Sequence, residues 1–216
     1  FSSADGNELH GWYCPVDNPR AVVLFAHGNS GNIADRSEIL KKWTEQLGVT
    51  VLAFDYRGYG HSKGEPSELG LFADTRGARR FLAERAGVNE LDIVLYGRSL
   101  GGAVMVDLAS NDGARALILE STFTSLPDVA NWKLPYTRIG SLLENRFTSI
   151  EKIARYDGPI LITHGSEDTL IPIAQGRELF AAANDPKQFV AIPNAEHNWA
   201  PPVDYLKTVN RFIDNL

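Results

Sequence analysis

Residues 97–101 read Gly-Arg-Ser-Leu-Gly and place a nucleophilic hydroxyl between two glycines. An apolar run over residues 91–96 precedes them, and a helix-like run over residues 102–110 follows. In a turn this sharp, side chains two positions from the serine would collide, so glycine is needed on both sides. In this strand–turn–helix setting the pattern predicts that Ser99 is a catalytic nucleophile. The alternative is a chance match in a tight turn.

A serine hydroxyl needs a base within hydrogen-bond reach, and that base needs a carboxylate to orient it. We predict His197 as the base and Asp168 as the acid, because each follows the end of a predicted strand. The order serine, acid, histidine along the chain is also the order of this type of site. Glu167 is the competing acid and is predicted to be exposed surface. The other histidines are assigned surface, packing or loop-bonding roles: His10, His27, His61 and His164.

The loop at residues 27–32, His-Gly-Asn-Ser-Gly-Asn, follows another apolar strand, and its glycines allow backbone N–H groups to turn inward. We predict that the N–H groups of Asn29 and Leu100 form an oxyanion hole. The alternatives are a simple tight turn or a phosphate-binding loop. The phosphate-binding alternative is weakened because neither G-x-G-x-x-G nor a G-K-[ST] ending is present.

Residues 55–62, Asp-Tyr-Arg-Gly-Tyr-Gly-His-Ser, form a further motif after the strand predicted at residues 49–54. Acidic and basic side chains this close together could form a binding site. We predict instead a structural turn with an internal ion pair between Asp55 and Arg57, and assign it no catalytic role.

The elements that must position these residues alternate between strand and helix, which is typical of βαβ units in a mostly parallel sheet. Nearly unbroken apolar runs such as residues 22–25 and 93–96 indicate strands buried on both faces. The predicted strands cover residues 9–13, 21–26, 49–54, 91–96, 116–119, 160–163 and 188–192. The sequence therefore predicts a three-layer α/β sandwich.

Composition limits the classes of function. The 216 residues carry a formal net charge of -6, which argues against a nucleic-acid-binding protein. The apolar runs fall far short of the ~18 residues that a membrane span needs. The single cysteine, Cys14, cannot form an internal disulfide, which allows a reducing compartment without proving one. The location is undetermined, and a soluble chain in the cytoplasm is favoured. Because the chain opens at Phe1 without an initiator Met, a longer native N-terminus stays open, and the oligomeric state is undetermined.

Residues 121–156 break the alternation with prolines, aromatics and short apolar pieces, so we predict a short cap inserted into one domain that spans residues 1–216. Side chains of this cap could line an acyl pocket, although packing of the cap on its own domain is an equal alternative. The predicted substrate-binding residues are Trp132, Tyr136, Leu142 and, beside the histidine, Trp199.

Five motifs in order, at residues 27–29, 55–62, 97–101, 164–168 and His197, resemble the α/β-hydrolase superfamily over nearly the whole chain. More narrowly, the sequence is similar to the ABHD-type serine hydrolases with a short cap, which include esterases and protein depalmitoylases. The resemblance implies a hydrolase without metal or other cofactor. Its expected substrate is a small-molecule or lipid ester or thioester. The alternatives are a palmitoyl thioesterase specifically, or a catalytically silent binding module on the same fold.

Overall fold

Seven strands form a single sheet in the computed structural model, which describes residues 1–137, 139–198 and 203–216. The strands are β1 (Gly11–Cys14), β2 (Val22–Ala26), β3 (Thr50–Phe54), β4 (Ile93–Arg98), β5 (Ala116–Glu120), β6 (Ile160–Gly165) and β7 (Lys187–Ile192). Their spatial order is β1-β3-β2-β4-β5-β6-β7, and β1 pairs antiparallel with β3 while the other neighbours run parallel. The predicted strands and the mostly parallel sheet are confirmed.

Helices cover both faces of the sheet. They are α1 (Ser37–Leu47), α2 (Glu68–Ala86), α3 (Leu100–Asp112), α4 (Leu126–Lys133), α5 (Ser149–Lys152), α6 (Ile173–Ala182) and α7 (Val203–Asp214). One core cluster joins α1 and α7 to the sheet around the fully buried Trp43 and Tyr205. A second cluster joins α2, α3 and α6 to the opposite face, with Leu82, Met105 and Leu179 at its centre. The three-layer sandwich predicted from the sequence is therefore confirmed.

The sheet is apolar because both of its faces are covered. Every residue of β2, β3, β5 and β6 is buried. Such strands have no solvent face, so the sequence shows continuous apolar runs in place of alternation. Burying apolar surface in these strands stabilises the fold by roughly 25 cal/mol per Å².

The parallel register brings the chemically important loops to one edge of the sheet. Ala26 of β2 lies beside Gly97 of β4, and Arg98 of β4 lies beside Glu120 of β5. The loops that follow β2, β4, β6 and β7 therefore leave the sheet at the same edge. These loops carry the predicted oxyanion, nucleophile, acid and base residues.

The segment between β5 and β6 contains α4, α5 and two 3-10 turns, Ile139–Leu142 and Ile153–Arg155. Ser125 caps α4 by accepting a hydrogen bond from the N–H of Asp128 at 3.2 Å. The segment returns to the sheet through Phe147, whose ring packs edge-on against Phe72 of α2 at 5.6 Å between centroids. The first part of the segment thus lies near α2, whereas α5 and the second 3-10 turn pack against α3 and α6.

Candidate active site

Ser99 lies in a strained turn between β4 and α3, with φ 53° and ψ −117°. A non-glycine residue adopts such a backbone only when the surrounding structure requires it. A Cβ on Gly97 would collide with the backbone of Gly101, and a Cβ on Gly101 would collide with the carbonyl of Ala26. The close approach of α3 to β2 and β4 therefore requires both glycines, as the sequence pattern predicted.

The predicted oxyanion donors lie on either side of Ser99. Leu100 is the first residue of α3, so its N–H has no acceptor within the helix. Within the described residues, neither this N–H nor that of Asn29 makes a hydrogen bond to another protein group. Both residues line the same cavity as Ser99. Two free donors beside the hydroxyl are suited to holding an anionic oxygen.

Buried polar groups hold the loop of residues 27–32 in place. The Nδ1–H of His27 donates to the carbonyl of Gly28 at 2.6 Å, and the Tyr56 hydroxyl donates to the carbonyl of His27 at 2.8 Å. Burial lowers the pKa of His27, so its ring is neutral at physiological pH. The Tyr59 hydroxyl donates to Asn29 Oδ1 at 2.6 Å. His27 thus has the loop-bonding role predicted for it.

Asp168 and His197 form a hydrogen-bonded pair on the loops after β6 and β7. His197 Nδ1 lies 2.7 Å from Asp168 Oδ2, and the carboxylate accepts further hydrogen bonds from the N–H groups of Leu170 at 3.0 Å and Ile171 at 2.8 Å. His164 Nε2 lies 3.3 Å from the same oxygen. With the proton on Nδ1, the Nε2 of His197 is free to accept another.

The pKa of Asp168 reflects two opposed effects. Burial raises it, because a charged carboxylate loses hydration. Hydrogen bonds from His164, His197 and the N–H of Ile171 outweigh burial, and the pKa lies well below its ordinary value. Asp168 is therefore ionised at neutral pH. Glu167, the competing acid, is exposed and makes no side-chain hydrogen bond among the described residues.

Arg98 connects the turn of Ser99 to the loop of His197, because its Nη2 donates to the carbonyl of His197 at 2.6 Å. In the described part of the chain, the Ser99 hydroxyl makes no hydrogen bond, to His197 or to another group. Of the two hydrogen bonds of the predicted triad, the one between Ser99 and His197 is therefore not formed in this structure. Trp199, predicted to border the pocket, lies outside the described residues.

A cavity with a volume of about 350 Å³ opens beside Ser99. Its walls are mostly apolar and come from α2, from the segment between β5 and β6, and from the loop after Asp168. The apolar lining side chains include Leu71, Phe123, Leu126, Val129, Phe147 and Ile171. A cavity of this size and lining can hold an acyl group beside the Ser99 hydroxyl.

The structure corrects the predicted lining of this pocket. Trp132, Tyr136 and Leu142 are 55%, 98% and 79% exposed, and none of them lines the cavity. The reason is the position of α4, which turns Leu126 and Val129 towards the cavity. Trp132 lies at the far end of the same short helix, where its Nε1 contacts the carbonyl of Thr169 at 3.5 Å. The segment lines the pocket, but with other side chains.

Sequence reasoning missed a contact between α2 and the segment that lines the cavity. The carboxylate of Glu68 accepts hydrogen bonds from the N–H groups of Arg146 at 2.6 Å and Phe147 at 3.0 Å. Asn145 Oδ1 accepts from the N–H of Glu68 at 2.8 Å. We call this reciprocal set of hydrogen bonds the α2 clasp. Glu68 and Asn145 lie 77 residues apart, so no local sequence signal indicates the contact.

The turn at residues 55–62 is structural, but its predicted internal ion pair is wrong. Arg57 pairs with Asp74 and Asp5, each at 2.7 Å. Asp55 is buried and accepts a hydrogen bond from the N–H of Ile33 at 2.9 Å, beside the loop of residues 27–32. The backbone turns the two side chains in opposite directions, so each stabilises a different neighbour.

A mostly parallel, helix-covered sheet with a strained serine between strand and helix at its carboxyl edge defines a class of protein, the α/β hydrolases.

Comparison with known proteins agrees with this class. Residues 17–149 match the family model described as serine aminopeptidase, S33. The uncharacterized protein YfhR of Escherichia coli K12 is 37% identical over 206 residues, covering 91% of this chain and 72% of YfhR. The alpha/beta hydrolase domain-containing protein WAV2 of Arabidopsis thaliana is 34% identical over 237 residues, covering 99% of this chain and 77% of WAV2. The chain belongs to the S33 serine aminopeptidase family of α/β hydrolases.

Solved structures share the fold. The Pyrococcus furiosus esterase Pf2001 aligns with a TM-score of 0.82 at 19% identity, covering 99% of this chain and 90% of that chain. The esterase domain of a Rhodothermus marinus protein aligns with a TM-score of 0.70 at 27% identity, covering 91% and 87% respectively.

Two kinds of feature are missing from the part of the chain that the structure describes. Among them, no helix is both long enough and apolar enough to cross a bilayer. Within the same residues, no group of three or more His, Cys, Asp or Glu side chains is arranged to hold a metal ion. Cys14 is a free, partly buried thiol.

Proposed function

We propose that this protein is a serine hydrolase that cleaves carboxylic esters or thioesters through an acyl-enzyme intermediate. The observation that carries the proposal is the position of Ser99. It occupies a strained turn that opens onto an apolar cavity lined also by two residues with free backbone N–H groups, at the same edge of the sheet as a histidine–carboxylate pair. The esterase names of the structural relatives are consistent with it.

Acylation begins when substrate fills the cavity. The Ser99 hydroxyl attacks the carbonyl carbon as its proton passes to Nε2 of His197. The N–H groups of Leu100 and Asn29 hold the oxyanion, and Asp168 stabilises the imidazolium. The intermediate collapses, the bond to the leaving group breaks, and the alcohol or thiol takes the proton from His197.

Deacylation repeats these steps with water as the nucleophile. His197 removes a proton from water, and the hydroxide attacks the acyl carbon of the ester on Ser99. The second tetrahedral intermediate uses the same two N–H donors. The carboxylic acid leaves, and the proton returns from His197 to the Ser99 oxygen.

The family description raises peptide N-termini as an alternative substrate. A protonated amine in a largely apolar cavity would need a free carboxylate to pair with it. Glu68 is the one acid among the described lining residues, and both of its oxygens are engaged in the α2 clasp. An ester or thioester, which brings no charge into the cavity, fits this lining better.

The cavity also favours acyl chains of moderate length. At roughly 30 Å³ for each methylene-sized group, comparable to one liquid water, a volume of about 350 Å³ holds on the order of ten carbons. We expect turnover of p-nitrophenyl esters to rise from acetyl to octanoyl, since each buried methylene contributes about 0.8 kcal/mol. Turnover should fall again for palmitoyl, which is too long to be enclosed.

The proposal is tested by replacing the nucleophile. Ser99→Ala should lower kcat for p-nitrophenyl octanoate by about 10⁴-fold or more. It should also abolish labelling by a fluorophosphonate probe and leave the unfolding temperature almost unchanged. Wild-type protein with neither turnover nor labelling would favour the silent binding module. An active Ser99→Ala variant would refute the assignment of the nucleophile, and release of aminoacyl-naphthylamide faster than ester would favour the aminopeptidase.

A further inference from the structure

A buried carboxylate lies directly behind the proposed nucleophile. Glu120, the last residue of β5, is 1% exposed. Its Oε2 accepts hydrogen bonds from the hydroxyls of Tyr96 at 2.7 Å and Tyr205 at 2.8 Å. Its backbone carbonyl accepts from the N–H of Ser99 at 2.8 Å. Glu120 is therefore fixed on two sides and bonded to the strained turn itself.

Arg98 joins this carboxylate to the proposed base. Arg98 stands between Gly97 and Ser99 in the chain, and its Nε lies 3.2 Å from Glu120 Oε1. Its Nη2 donates to the carbonyl of His197 at 2.6 Å. One guanidinium thus contacts Glu120 at one end and the backbone of His197 at the other.

Removal of either partner from a buried ion pair is costly, because it leaves an uncompensated charge away from water. Burial, together with the Glu120 carboxylate, raises the pKa values of Tyr96 and Tyr205 well above their ordinary range. Both phenols therefore stay protonated and act only as donors towards Glu120. The carboxylate therefore has little freedom to move, and it attracts the guanidinium of Arg98 through an ion pair at 3.2 Å.

We propose that Arg98 and Glu120 are positioning residues, which hold the loop of His197 against the turn that carries Ser99, so that the ring can reach the serine hydroxyl when substrate is bound. This inference rests on the proposed function. The Asp168 carboxylate orients the His197 ring, but it does not fix the backbone of the loop that carries the ring. Arg98 supplies that contact from the residue next to the nucleophile, so serine and histidine share one support.

The test is Arg98→Met, which keeps an unbranched side chain and removes both contacts. Misplacement of a reacting group by about 1 Å costs on the order of 10²-fold in rate. We therefore expect kcat for p-nitrophenyl octanoate to fall by about 10²-fold with KM changed less than twofold, since the acyl cavity is untouched. If Arg98→Met does not fold, Arg98→Lys gives the measurement, with an expected fall of about tenfold.

Arg79→Met is the matched control. Arg79 also joins a carboxylate, Glu90 Oε2 at 2.6 Å, to a backbone carbonyl, that of Gly113 at 2.9 Å. It lies on α2, outside the lining of the cavity. Both variants should lower the unfolding temperature, but Arg79→Met should keep kcat within twofold of wild type.

Two results would overturn the positioning role alone. In one, the Arg98 variant keeps kcat within twofold while Ser99→Ala is inactive. In the other, Arg79→Met loses kcat in the same proportion as Arg98→Met. An active Ser99→Ala variant would overturn both the positioning role and the proposed function.

Discussion

Replacing Asp168 by Asn changes the charge of one buried side chain and almost none of its volume. The carboxylate accepts from His197 Nδ1 at 2.7 Å and from the N–H groups of Ile171 and Leu170 at 2.8 and 3.0 Å. An amide has one acceptor and one donor end. If its oxygen serves the two backbone N–H groups, its NH₂ meets the Nδ1–H of His197.

The His197 ring then adopts the other tautomer, with its proton on Nε2, where the base must be free. Loss of the correct tautomer in a serine triad costs about 10⁴-fold in kcat, so we expect a fall of 10³–10⁴-fold for Asp168→Asn. Loss of one hydrogen bond to a charged group should also lower the free energy of unfolding by about 1.5–3 kcal/mol at neutral pH.

The stability difference should depend on pH. Burial raises the pKa of Asp168, but its hydrogen bonds outweigh burial and hold the pKa below the ordinary value. As the pH falls through about 3.9, the unfolded chain takes up this proton before the folded protein does. The stabilisation by Asp168 is therefore complete above this pH and is lost progressively below it. The wild-type and Asp168→Asn proteins should approach each other in stability as the pH falls towards 3.

Urea unfolding at pH 7, 5, 4 and 3 measures this difference, and p-nitrophenyl octanoate turnover at pH 7 measures kcat. Glu167→Gln is the matched control, because the neighbouring acid is exposed and should change neither quantity. A stability difference that stays constant from pH 7 to pH 3 would show that Asp168 is not the group responsible. Turnover within tenfold of wild type would exclude it as the partner of His197.

Two further predictions concern packing near Ser99. Gly101→Ala places a methyl group against the carbonyl at the end of β2, where backbone cannot move aside. It should lower the free energy of unfolding by about 3 kcal/mol or more, and a urea midpoint unchanged from wild type would contradict the close packing described. Val129→Trp narrows the cavity, so the best p-nitrophenyl ester should become shorter than octanoyl, whereas Tyr136→Ala should leave the preference unchanged. An unchanged preference in Val129→Trp would place the acyl site elsewhere.

The features that the sequence predicted correctly are those with a local physical cause. A strand buried on both faces must be apolar throughout, so residues 22–25 and 93–96 indicated β2 and β4 directly. The collision of a Gly97 side chain with the backbone of Gly101 arises within five residues, so the pattern at residues 97–101 was sufficient to predict the turn. The collision of a Gly101 side chain with the carbonyl of Ala26 is a long-range contact that this pattern does not show. The pairing of Asp168 with His197 was also predicted, because both follow strand ends that a parallel sheet brings to one edge.

The features that were missed depend on contacts between distant parts of the chain. Arg57 stands two residues from Asp55, but its carboxylate partners are Asp5 and Asp74, and no local pattern indicates them. The cavity lining was missed for a related reason. Apolar periodicity predicts which side chains share a face of α4. It does not predict how far along that face the cavity extends. Val129 meets the cavity, whereas Trp132, one turn later, passes beyond it.

The α2 clasp has a consequence for how this protein could diversify. The apolar wall is anchored at one end by α4 and at the other by the bonds of Glu68 to Arg146 and Phe147. Most of the described residues between these anchors, from 134 to 144, are exposed. Insertions and deletions concentrate in such surface loops. We therefore expect relatives to differ in length there while keeping the depth of the acyl cavity. A new substrate-recognition loop could also be inserted in that stretch without changing the residues around Ser99.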